Sequence, residues 1–373
     1  MKRGKADKTS KVRAIFFAAF ASALLYVIVF PICAGKELFL LPAWTTDMEL
    51  AEETQVREIP QNPKGGEEIF PFRLSGHLGY IDSRGKLLFH ERVAYDAAMG
   101  NEFFVNYPAA PLNLLVRGRQ GEFLGNIAAS GYPFIRRGKL FIISPDGYGL
   151  SRVDERGELM WEKKFASLIT AADAGDNSAV LGFLNGGAAV LSANGSVEYE
   201  APSGGPGEAP VTLQVGVADD ALYFVVLSGN PQRLELFVKQ EDAYMSGFTA
   251  QLQSSYRRAV VARYFSEPDY FIFEQPEGAG VFQVEKKNLY HVRLPGQLLA
   301  LASERSDGLF LALSAQDNRM YCTAFLPNGN RVFGFSWQSF PGAQDVPYFL
   351  DAAGKNFLLG RGGSLYRVDM GVY

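Results

Sequence analysis

His77, His90 and His291 are the only imidazoles in the 373-residue chain, and their separation offers none of the short spacings from which a metal centre is built. Carboxylates do occur as close pairs, Asp173 with Asp176, Asp219-Asp220 and Glu241-Asp242. Such pairs can relay protons or hold Ca²⁺, but Asp is also selected in turns because its side chain hydrogen-bonds the nearby backbone. Three Gly-rich stretches, 185–188, 204–207 and 360–363, lack the Lys-Ser/Thr that a phosphate loop requires, and Asn185-Gly186-Gly187-Ala188 reads as a hairpin turn. No Gly-x-Ser-x-Gly elbow supplies a serine nucleophile. Trp44, Trp161 and Trp337 are too few to stack a pyrroloquinoline quinone and are not accompanied by a calcium ligand set. The two cysteines sit in unlike contexts: Cys33 ends an apolar run, while Cys322 lies in strand-like Met320–Phe325 and reads as a buried small hydrophobe. We therefore nominate no catalytic, cofactor-binding or metal-binding residue and expect a non-enzymatic protein without cofactors.

What surrounds these residues is more informative. Residues 1–13 carry six cations against Asp7 alone, so the rest of the chain is more acidic than the overall net charge of −4. An acidic body argues against nucleic acid, whose backbone is bound through clustered Lys and Arg. From Ala14 to Cys33 no charge occurs, and about twenty residues at roughly 1.5 Å each match a hydrocarbon core about 30 Å thick. The basic tail 1–13 is therefore expected in the cytoplasm, with 14–34 a transmembrane signal anchor and the remainder extracytoplasmic, beyond the inner membrane. Cleavage of the segment, or lipidation at Cys33, is the alternative; the long apolar core and the Pro31-Ile32 before Cys33 favour the uncleaved anchor. Trp44 falls where an interfacial aromatic would sit. Residues 35–68, rich in Glu, Pro and Gly, are expected to be an acidic linker.

Beyond Ile69, short aromatic and β-branched runs alternate with Gly, Pro, Asn and Asp, the pattern of many antiparallel strands. Ser246–Arg258 comes nearest to a helix and is weakened by Gly247 and its serines. One element recurs as 80–89, 152–161, 190–199 and 324–333: a strand, a turn opened by Asp82, Asp154, Ser192 or Leu326-Pro327, a Gly three positions after the opener, and an aromatic four after the Gly. The opener starts the turn, the Gly takes positive φ, and the aromatic packs its strand against a neighbouring sheet. Weaker copies at 118–124, 240–247 and 285–290 place turns near 85, 121, 157, 195, 245, 288, 329 and 371, a period of roughly 36 to 50 residues.

That period is the span of one propeller blade. Seven blades are expected if the first and last turns share one, with a strand from 69–93 closing the ring; six or eight also fit. Val153-Asp154-Glu155-Arg156-Gly157-Glu158-Leu159-Met160-Trp161 resembles the blade signature of the quinoprotein-like and WD40-like β-propeller superfamily, in particular its membrane-anchored extracytoplasmic members. The resemblance covers about residues 70–373 and implies an all-β propeller domain over 69–373. The role expected is that of a protein-interaction scaffold with a partner in the cell envelope. An enzyme or a small-molecule or glycan binder using the central channel is the alternative, with Tyr148 and Tyr244 as aromatics that could stack on sugars.

Overall fold

The computed structural model describes residues 38–47, 68–202, 211–241, 243–266, 269–304, 308–338, 348–353 and 356–372. The expected anchor 14–34, the basic tail, Cys33, Asp242 and Gly204–Gly207 lie outside the described residues. Among the described residues no helix is long and apolar enough to cross a membrane. The chain forms two compact units, Pro42–Val368 and the joined ends Met1–Leu41 with Asp369–Tyr373. The larger unit carries the fold.

Eight antiparallel sheets follow one another, which corrects the expected count of seven blades. Blade 1 holds Ile69–Leu74, His77–Asp82 and Leu87–Arg92; blade 2 runs from Asp96–Met99 to Phe123–Ile127, and blade 3 from Tyr132–Arg136 to Leu159–Lys164. Blade 4 spans Ile169–Ala174 to Val197–Ala201, blade 5 Thr212–Val217 to Ala243–Gln251, blade 6 Ala262–Phe265 to Asn288–Arg293 and blade 7 Gln297–Glu304 to Arg331–Gln338. Blade 8 combines Tyr348–Ala353, Asn356–Arg361 and Ser364–Val372 with the N-terminal strand Leu38–Asp47 as its outermost member. The turn expected near 371 falls instead inside the strand Ser364–Val372, and the other seven mark blades 1 to 7. The closing strand comes from upstream of Ile69, out of the segment expected to be linker.

Blade 1 has three described strands. Val93 N–H donates to Gly76 O just as Phe165 N–H donates to Tyr148 O, so in both blades the chain leaving the outermost strand ties to the hairpin between second and third strands. Ile69–Leu74 is thus a second strand, and among the described residues nothing fills the innermost position of blade 1.

Burial follows position in the blade. The second strands Ser178–Phe183, Tyr270–Gln275 and Leu309–Gln316 are buried almost throughout, as apolar runs covered on both faces by adjacent blades must be. Outer strands alternate, as in Val197–Ala201. Aromatic rings fill the spaces between sheets; Phe224 stacks on Phe237 with centroids 4.5 Å apart and meets Tyr244 edge-on at 5.1 Å. Cys322 is buried there too, and burial pushes its thiol up to about 12.

The recurring sequence element forms the hairpin between third and fourth strands. In blade 1 Gly85 N–H donates to Asp82 O and Asp82 N–H to Lys86 O, both at 3.0 Å, while Asp82 Oδ1 accepts from Arg84 N–H and Lys86 N–H. Asp154 repeats this with Arg156 and Glu158. Gly85, Gly121, Gly157, Gly195 and Gly329 have φ between +79° and +85°, and the register slips by one residue beside each turn, the signature of a three-residue hairpin with a G1 bulge.

The aromatic four residues after the Gly docks on the next blade. Phe89 covers Gly121, and a Cβ on Gly195 would come within 2.6 Å of Trp161. Trp161 Nε1 donates to Ala193 O at 2.9 Å, and Arg152 reaches the same carbonyl. Trp44 does this for blades 8 and 1: a Cβ on Gly85 would lie 2.5 Å from its indole, Nε1 donates to Ser83 O at 3.1 Å, Thr46 Oγ1 donates to Gly85 O, and Arg367 reaches Ser83 O. Trp44 is therefore the latch of the ring. In Ala43–Asp47, Trp44 and Thr46 turn inward and the residues between them face solvent.

Candidate functional site

Among the described residues no group of three potential metal ligands assembles. His77 and His90 stand on neighbouring strands of blade 1 with ring centroids 6.1 Å apart, and His77 Nδ1 lies 3.2 Å from Ser75 O; His291 is on blade 6. Asn185 forms the expected hairpin turn, its Oδ1 accepting from Gly187 N–H at 3.0 Å, and Gly362 takes φ +56° between the second and third strands of blade 8. Glu241 sits at φ +54° in a turn. Trp337 is half-buried and stacks on Phe335. Tyr148 is exposed, but Tyr244 is buried with its hydroxyl donating to Ala221 O at 2.8 Å, which corrects its expected availability to sugars.

The carboxylate pairs divide. Asp220 is a turn residue, its Oδ1 accepting from Leu222 N–H. Asp173 and Asp219, in contrast, belong to a charged group around the axis that the sequence did not single out. Charged residues on the innermost strands include Arg136 on blade 3, Asp173 on blade 4, Arg263 on blade 6 and Asp351 on blade 8. Arg136 Nε lies 3.6 Å from Asp173 Oδ1, and Asp173 Oδ2 accepts from Val217 N–H of blade 5 at 3.2 Å. Burial among the inner strands raises the proton affinity of Asp173, against the pull of Arg136.

Arg263, on the innermost strand of blade 6, is exposed to solvent. Desolvation lowers its proton affinity; Asp351 and Asp173 oppose this, and the charges of Arg136 and Arg137 add to it. Its NH1 donates to Leu301 O at 3.1 Å and its guanidinium lies 5.3 Å from the Phe265 ring centroid. Arg137, at φ +49° in a two-residue hairpin with Gly138, reaches past blade 4 to Asp219 of blade 5, 2.5 Å from Oδ1, and to Ser266 of blade 6. Lys139 completes the rim by donating to Gly175 O and Asp176 O. Within the cluster the opposite charges face one another as Arg136 with Asp173 and Arg137 with Asp219.

Beside Asp219 and Asp220, burial first, and then the charges of Asp220, Glu285 and Asp219, raise Asp269 to about 6, with the Tyr264 hydroxyl opposing. A carboxyl raised in the folded chain takes up its proton before the unfolded chain does, so it adds stability as pH falls from above 6 toward about 4. Asp269→Asn should flatten that part of the profile: the wild-type gain in melting temperature between pH 7.5 and pH 5, relative to the variant, is the measurement. An equal gain in both proteins assigns the effect elsewhere.

A ring of antiparallel sheets in which an outer aromatic of one blade seats on the glycine turn of the next defines a β-propeller. The chain belongs to the family described as beta-propeller protein, which it matches over residues 6–370. It is 25% identical over 358 residues to an uncharacterized protein of Treponema pallidum (strain Nichols), covering 95% of this chain and 93% of that one. Among solved structures it is similar to BamB from Moraxella catarrhalis, with a TM-score of 0.57 at 12% identity over 89% of this chain and 100% of the other. Apo AztD from Citrobacter koseri gives a TM-score of 0.52 at 12% identity, covering 79% and 88%. These two likenesses establish the fold alone.

Proposed function

We propose that this propeller is a non-enzymatic protein-interaction scaffold of the cell envelope, held by segment 14–34 in the inner membrane with its basic tail in the cytoplasm. One observation carries the interaction reading. Among the described residues, eight of the fourteen exposed large hydrophobics lie between Tyr95 and Met160, on or beside blades 2 and 3; Leu112 is 75% exposed, Phe123 66% and Leu159 60%. Gly125 presses on the Arg156 carbonyl, so the strand carrying Phe123 abuts the turn that precedes Leu159 and Met160. Phe123, Leu159 and Met160, exposed on the abutting outer strands of blades 2 and 3, form the kind of apolar patch that docks another protein.

Phe123→Glu with Leu159→Glu should abolish recovery of a specific partner by mild crosslinking from envelope membranes while leaving the melting temperature within about 2 °C, since exposed substitutions cost little. Undiminished capture by the variant, or no specific partner for the wild type, defeats this reading. The anchor is tested separately: the intact chain should fractionate with membranes and its propeller should be cleaved by protease added to spheroplasts, and recovery as a freely soluble cytosolic protein would refute the placement.

A second reading is favoured by the channel. Arg136 and Arg263 are solvent-exposed inside the ring and share it with Asp173 and Asp351, a polar setting suited to a small ligand.

A further inference from the structure

Blades 3 and 4 leave a cleft between them, lined from blade 3 by Lys139, Phe141, Arg152 and Trp161 and from blade 4 by Asp176 and Ser178 among others. Strand register fixes the first group. Phe141 stands opposite Arg152 and Arg152 opposite Trp161, so the three form a row across the sheet, and Lys139, two residues before Phe141, shares their face. On the other side Ser178 opens the second strand of blade 4, with Asp176 in the hairpin before it. The space is about 180 Å³ and open to solvent, less than the roughly 300 Å³ at which pockets for whole drug-sized ligands begin, and suited to one small acid group.

Donors dominate this cleft, and two of them are unused. Arg152 NH1 and Trp161 Nε1 both donate to Ala193 O at 2.9 Å. Arg152 Nε is buried and finds no acceptor among the described residues, and the same holds for the hydroxyl of Ser178, a residue only 5% exposed. Buried donors are rarely left so unless something outside the chain accepts from them. Lys139 directs N–H groups to Gly175 O and Asp176 O and has a third to offer. Burial lowers its proton affinity and the charge of Arg152 adds to this, with Asp176 opposing. Two cations against one carboxylate leave an excess of positive charge beside the unused donors, the setting for a monoanion.

We propose that the cleft between blades 3 and 4 binds a single carboxylate group on a short apolar stem, Arg152 Nε–H and the Ser178 hydroxyl donating to its oxygens while Phe141 and Trp161 wall the stem. A free acid and the acidic side chain of a peptide both carry that group.

The test is calorimetric titration of the full-length chain with propionate, with the blocked peptide acetyl-Ala-Glu-Ala-amide and with ethylammonium, at matched ionic strength. Propionate or the peptide should bind, and Arg152→Gln and Ser178→Ala should each weaken that binding by about tenfold, the loss expected for a charge-assisted hydrogen bond. Ser178→Ala removes a hydroxyl that has no partner among the described residues, so its melting temperature should not fall and its loss of binding reports the site itself. Arg119→Gln, which removes a surface cation paired with Glu102, should bind as the wild type does. Tighter binding of the peptide than of propionate assigns the carboxylate to a protein partner, and the reverse assigns it to a free acid. Binding that survives both cleft variants, or that falls equally in Arg119→Gln, overturns the proposal. So does binding of ethylammonium in place of the acids, which would make Asp176 the recognising group, and so does the absence of binding of either acid at about 10 mM, the result for a cleft that holds water alone.

Discussion

Trp44→Ala should lower the unfolding free energy by about 3 kcal/mol, the range for truncating a large aromatic that is only partly buried. The indole packs on Gly85, donates to Ser83 O, and belongs to a cluster with Phe70, Phe72, Ile81 and Leu358 that joins blade 8 to blade 1. Trp161→Ala removes the same interaction between blades 3 and 4 and should cost a similar amount. The two variants differ in kind, because the outermost strand of blade 8 is held to the other strands of its blade by hydrogen bonds alone, whereas the strands of blades 3 and 4 follow one another in the chain. Limited proteolysis at equal destabilisation should therefore cut Trp44→Ala near the closing strand much faster than Trp161→Ala. Equal cleavage patterns would show that Trp44 is an ordinary packing residue. Gly85→Ala attacks the seam from the other side: a side chain at φ +83° costs about 1–2 kcal/mol, and its Cβ pushes on the indole.

Arg258→Ala should cost about 2 kcal/mol. Glu274 is 1% exposed and accepts from Arg258 through both oxygens, at 2.9 and 2.5 Å, with a third donation from Val261 N–H at 3.3 Å. Removing the guanidinium strands a buried carboxylate, for which losses of roughly 3–5 kcal/mol are typical. The Arg258 side chain is 44% exposed, so water replaces part of what is lost and the cost falls below that range. Arg258→Met with Glu274→Met should recover most of the stability, since an apolar pair of similar volume carries no desolvated charge. Urea unfolding of the single and double variants separates the two contributions; a double variant as unstable as Arg258→Ala would mean that packing, not charge, is what the arginine supplies.

The hairpins were legible because their determinants are local. Asp82, Gly85 and Phe89 lie within eight residues, and every strong or weak copy of the element marks a hairpin between third and fourth strands. The blade count was not legible, because it depends on which strand closes the ring. Leu38–Asp47 reads as the tail of an apolar run, and the partner of Trp44 is Gly85, far along the chain with nothing in the intervening sequence to pair them. The axial cluster was hidden for the same reason. Arg136, Asp173, Arg263 and Asp351 lie on four separate blades, each an unremarkable charge on a short strand, and only the rotation of one blade onto the next brings them to a common centre. Asp173 stood out only through its proximity to Asp176, which turns away to the rim.

The closing strand also sets where the chain tolerates a cut. Removal of everything up to Cys33 would leave Leu38–Asp47 whole, and the ring would still fasten. A protease acting just past Asp47 would carry off the outermost strand of blade 8 and the indole with it, exposing the row of backbone groups on Ser364–Val372 and the bare turn at Gly85. For the anchor proposed above, hydrolysis upstream of Leu38 would release the propeller with its closing strand in place, whereas a tug on the amino end would fall first on the seam that finishes the circle.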